Sequence, residues 1–74
     1  MTRLPTLEAR KVVAALKRAG FEETHYRGSH LYFHHPIKDL EACVPMHKGD
    51  LGRGLIRAII RQAQLSEEEF RELL

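Results

Sequence analysis

The hydrophobic period of this chain changes twice, and each change confines the fold. Ala9, Val12, Val13, Leu16 and Ala19 recur at the three-four spacing of one buried helical stripe. Arg10, Lys11, Lys17 and Arg18 fall on the opposite side. Gly20 then supplies the left-handed residue of a helix stop, and Phe21 can fold back on the last turn. Beyond it the pattern alternates: "EETHYR" and "SHLYFHH", joined at Gly28, read as two strands around a tight bend. Leu31 and Phe33 point one way along the second strand, and His30, Tyr32 and His34 the other. "HPIKD" has the composition of a turn, and "LEACVPM" of a third short strand, with Pro45 marking an edge or the close of pairing. The helical period returns in "GLIRAIIRQAQ", where Ile56, Ile59, Ile60 and Ala63 form the stripe.

The helix starts and stops carry their own signals. Thr6 is expected to cap the first helix, with Glu8 in its first turn. "LSEEEFRELL" opens with Ser66 and Glu69 at capping-box spacing, and Leu65 just outside can act as a staple. The order is therefore α-β-β-β-α with a short C-terminal helix. Three antiparallel strands with the helices on one face are the α+β solution for that order. Residues 1–74 form a single domain, near the lower size limit for folding without staples, and the one cysteine, Cys43, excludes an internal disulfide. Packing must do the work. The longest purely apolar run, "VVAAL", is far too short to span a bilayer or to form a signal-peptide core; together with the lone cysteine this leads to the expectation of a cytoplasmic protein without a membrane partner. A formal charge of +2 says little about partners by itself.

Four of the five histidines lie between His25 and His35. They do not read as a metal site: His30 and His34, four apart on a strand, are separated by roughly 13 Å, and Cys43 has no thiol companion. No cofactor is implied. "RGSH" has another use. Cleaving RNA without a metal needs a base for the 2′-hydroxyl proton, an acid for the leaving 5′-oxygen, and donors for the phosphate. His30 is the candidate proton carrier, Arg27 a phosphate contact, Gly28 a point of close backbone approach and Ser29 a donor. His47 follows "VP" at a strand end, as a second carrier, a phosphate contact or a solvated loop residue. The loop "KGDLGRG", with Lys48 and Arg53, suits a phosphate cradle or a flexible connector. The row Arg53, Arg57 and Arg61 suits an RNA backbone, an acidic partner or plain solvation, and "RGSH" itself also suits a polar bend.

In order along the chain, "AGF", "RGSH", "VPMH", a glycine-bearing loop and "RQAQLSEEEF" resemble the HicA toxin family, also called YcfA-like, from about Val12 to Leu74. The resemblance implies a double-stranded-RNA-binding-domain-like fold. It also implies an endoribonuclease that cleaves mRNA and arrests growth, as the toxin of a type II toxin–antitoxin pair neutralised by a HicB-type antitoxin. Its catalytic histidine would be His30, and its "VPxH" histidine would be His47, in a supporting role. Tyr26 and Tyr32 would be available for base stacking. Two positions depart from the family pattern. Leu55 follows Gly54 where many members have threonine, which removes a hydroxyl near the loop. Gln64 stands where a glycine is usual, so the second long helix should end without a left-handed residue. A non-catalytic RNA-binding module on the same fold is the alternative function, and a protein-docking domain a third.

Overall fold

The computed structural model describes residues 4–74. In chain order the elements are β1 (Leu7–Glu8), α1 (Ala9–Arg18), β2 (Glu22–Arg27), β3 (His30–His35), β4 (Leu40–Pro45), β5 (Asp50–Leu51), α2 (Arg53–Gln62) and α3 (Glu67–Glu72). β2, β3 and β4 form the expected antiparallel sheet in that spatial order, so β3 is central and β4 an edge. Both long helices pack against β4. The protein is thus α+β, with the α-β-β-β-α order read from the periods.

The core is built from the residues the two periods select. Val12 and Leu16 of α1, Leu31 and Phe33 of β3, Val44 of β4 and Ile56 and Ile59 of α2 are all buried, and Phe70 of α3 completes the set. Burying each such side chain favours folding by roughly 1.5–3 kcal/mol, enough in sum to replace the missing disulfide. β2 lies outside this packing, with all six of its residues exposed. The N–H of Cys43, which would otherwise face outward from the edge strand, donates to Gln62 Oε1 of α2 at 3.0 Å.

The first helix begins differently from expectation. Glu8, not Thr6, is the N-cap, and no side chain caps it. Leu7 and Glu8 instead pair with Leu51 and Asp50 in a second small sheet, and the Thr6 hydroxyl donates to Asp50 Oδ2 at 3.1 Å. A strand leaves Thr6 too far from the first helical turn to cap it. The same pairing converts part of the glycine-rich segment from connector to β5.

The helix stops follow two routes. Gly20 takes φ +101°, and Phe21 N–H donates to Leu16 O as α1 ends. After α2, Gln64 adopts φ +55° although it is no glycine, correcting the expectation that the left-handed residue would be lost. The helix keeps its stop and accepts the strain, about 1–2 kcal/mol for a residue with a Cβ. Gln64→Gly should therefore raise stability by roughly 0.5–1 kcal/mol after the unfolded-state entropy of glycine is subtracted, seen as a higher urea midpoint at unchanged slope.

α3 carries both halves of its capping box: Glu69 N–H donates to Ser66 Oγ, and Ser66 N–H donates to Glu69 Oε1 at 2.8 Å. That backbone N–H, followed by the Ser66 hydroxyl, holds the Glu69 carboxyl below the usual carboxylate range. Leu65 packs on the same core as Phe70, as a staple requires. Arg18 Nη1 donates to Leu73 O at 2.7 Å and ties the end of α3 to α1.

Candidate active site

Strand register places the hairpin tip first. Arg27 and His30 are direct cross-strand partners, so Gly28 and Ser29 form a two-residue loop. Gly28 takes φ +60° while Ser29 stays at negative φ, the pattern of a type II′ turn with glycine first. A Cβ on Gly28 would meet nothing within 4 Å, so the glycine serves the turn and leaves the backbone open to a close approach. The loop is pinned from the other side by Met46 N–H, which donates to Ser29 O at 2.8 Å. His30 also pairs with Pro45, two residues before His47. The hairpin tip and the His47–Lys48 segment therefore meet at one end of the sheet.

Three of the five histidines have structural employment. His35 is buried at 7% exposure, its ring edge-on to Phe21 with centroids 5.2 Å apart, and its Nδ1 accepts from Lys38 N–H at 3.1 Å. It belongs to the core, although it opens the turn-like "HPIKD". His34 contacts Asp39 through Nε2 at 2.8 Å. His25 stacks on Tyr32, centroids 4.9 Å apart and planes 1° from parallel, and its Nδ1 lies 3.0 Å from the Thr24 hydroxyl. His30 and His47 are the remainder. Both are exposed, and among the described residues neither ring has a hydrogen-bond partner. These are the two imidazoles left for chemistry, at the same end of the sheet.

The surrounding groups sort by what already holds them. The Arg27 guanidinium lies 5.8 Å from the Tyr32 ring centre, on the His30 face of the sheet. Tyr32 is thus partly covered by His25 and Arg27 and is no open stacking platform, although it does share the His30 face. Tyr26 is 59% exposed but pairs across from Leu31, which puts it on the opposite face. Lys48 is exposed and without a partner among the described residues. Arg53 is partly engaged, its Nε donating to Leu4 O at 2.6 Å. Arg57 pairs with Glu67 at 3.2 Å. Two of the three arginines in the row thus each have their Nε donor engaged.

One member of this region escaped the sequence reading. His47 and Lys48 line a hollow of about 260 Å³ together with Glu8 and Arg10, from the other end of the chain order. The β1–β5 pairing, a long-range contact, helps bring the start of α1 there. Among the described residues no three His, Cys, Asp or Glu side chains gather into a possible metal-binding group. Among those residues, too, no helix is long and apolar enough to cross a membrane.

A small α+β protein with a pinned, histidine-tipped hairpin beside a basic loop is the class these features define. The family model described as the HicA toxin of bacterial toxin–antitoxin systems matches residues 9–65. The chain belongs to the HicA toxin family, a toxin family whose members imply an antitoxin partner. No curated protein matches the chain.

Proposed function

We propose that this protein is a metal-independent endoribonuclease toxin that cleaves mRNA in the cytoplasm, arrests growth, and is neutralised by a HicB-type antitoxin. The observation that carries the reading is the sorting of the histidines: three are committed to structure, while His30 stands exposed and unpartnered directly across from Arg27. In the proposed reaction His30 takes the proton of a ribose 2′-hydroxyl. The freed oxygen attacks the adjacent phosphorus, the P–O5′ bond breaks, and a 2′,3′-cyclic phosphate forms. The departing 5′-oxygen takes up a proton, so charge and atoms balance.

Arg27 and Lys48 supply positive charge to the phosphate, and Ser29 supplies an orienting hydroxyl. The open backbone at Gly28 lets the strand approach closely. His47 is the other imidazole at that end of the sheet, available to protonate the leaving oxygen or to contact phosphate.

The decisive substrate is an RNA carrying a single 2′-deoxynucleotide at its cleaved position. Cutting should stop there and continue at unmodified sites, in the presence of a chelator. Cleavage at the deoxy position would overturn the mechanism. Salt-dependent RNA binding with no cleavage at all would instead favour a non-catalytic RNA-binding module.

A further inference from the structure

α1 has a second face whose chemistry the hairpin does not use. While Val12 and Leu16 enter the core, Arg10, Lys11, Ala14 and Arg18 bound a groove of about 390 Å³, closed by Leu7 and Leu74. Three cationic side chains and no acidic side chain line it, over an apolar floor. Arg10 contacts Glu8 at 3.3 Å and Arg18 donates to Leu73 O, but a guanidinium has five N–H groups and retains donors for a further partner. Lys11 is exposed and has no partner among the described residues.

We infer that this groove docks an acidic amphipathic segment of a partner protein. Charge complementarity selects an anionic occupant, and the floor selects among anions. Leu7, Ala14 and Leu74 offer contacts to leucine-like side chains, whereas no aromatic ring lines the groove on which a nucleic-acid base could stack. An amphipathic helix with apolar anchors at three-four spacing and carboxylates beside them satisfies both halves. The groove also has a direction: Arg10 lines the adjoining hollow as well, with His47 and Lys48. A segment lying in the groove thus reaches the edge of the proposed RNA site, which is where a neutralising partner acts. Its assignment to the antitoxin rests on the toxin reading above; the chemistry of the groove does not.

The test is fluorescence anisotropy with a labelled synthetic helix-forming peptide, leucines at three-four spacing and glutamates elsewhere. Two control peptides replace its leucines with serine or its glutamates with lysine. Binding is expected for the acidic amphipathic peptide alone, weakening as salt rises. Lys11→Glu and Leu74→Ser should each weaken it about tenfold, for loss of one ion pair and of one apolar contact respectively. Circular dichroism should be unchanged in both, since each side chain is exposed. Equal binding by Lys11→Glu, or by the serine peptide, overturns the proposal. A labelled non-cleavable deoxyoligonucleotide whose own binding falls as far as the peptide's in both Lys11→Glu and Leu74→Ser overturns it too, and assigns the groove to nucleic acid. Cleavage of RNA is read separately and without peptide. Peptide binding by a protein that never cuts RNA would leave the groove standing while the nuclease reading falls.

Discussion

His30→Ala should abolish most transcript cleavage, by about 10²–10⁴-fold, while leaving the fold and its unfolding midpoint essentially unchanged. Both halves follow from the position of the side chain. His30 is exposed and none of its ring atoms hydrogen-bonds a described residue, so truncation removes no packing and orphans no donor. The backbone around it is secured independently by pairing with Arg27 and Pro45 and by the Met46–Ser29 hydrogen bond. A loss of activity in this variant therefore reports chemistry rather than unfolding. The neighbouring histidines provide the contrast. His35→Ala should lower stability, because it empties a core position against Phe21 and leaves Lys38 N–H without its acceptor. The measurement is a gel-based cleavage rate for each variant alongside its thermal transition. A His30→Ala protein that degrades RNA at the parent rate would remove the imidazole from the mechanism altogether.

How far such residues could be read in advance depends on whether their neighbours are local. The α1 stripe, the Gly20 stop, the hairpin about Gly28 and the capping box of Ser66 all lie within a few residues of the signals that specify them, and all are present. His35 was also within reach: alternation from Leu31 through Phe33 carries it to the inner face. The Pro36 that follows also makes it the first residue of the turn-like "HPIKD", so the two signals compete. Other features had no local signal. The pairing of Leu7–Glu8 with Asp50–Leu51 joins two-residue segments far apart in the chain, too short to show any period. It displaced the Thr6 cap and brought Arg10 beside His47. The stacking of His25 on Tyr32 depends on a register shift between Glu23 and His25, which alternation counted from the sequence does not contain. For the site, residue types and their order were legible. Which side chains were already occupied was not, since that depends on contacts such as Arg53 to Leu4 and Arg27 over Tyr32.

Gly20→Ala is expected to be strongly damaging for a single methyl group, costing about 2–5 kcal/mol. Two separate causes contribute. At φ +101° any residue with a Cβ is strained, by about 1–2 kcal/mol. The added carbon would also stand 2.7 Å from His35 Nε2, closer than any real contact, and overpacking of that kind typically costs about 1–3 kcal/mol. His35 cannot easily retreat. Its ring is buried edge-on against Phe21, and its Nδ1 is held by Lys38 N–H. For a domain of this size each kcal/mol moves the melting temperature by about 4–8 °C, so a fall of at least about 8 °C is expected. A double-mutant cycle separates the causes. With His35→Ala in the background the clash is gone and only the backbone strain remains. Gly20→Ala should then cost about 1–2 kcal/mol, measurably less than in the parent. An unchanged cost in that background would show that the imidazole yields freely, and that α1 needs its glycine for the turn alone.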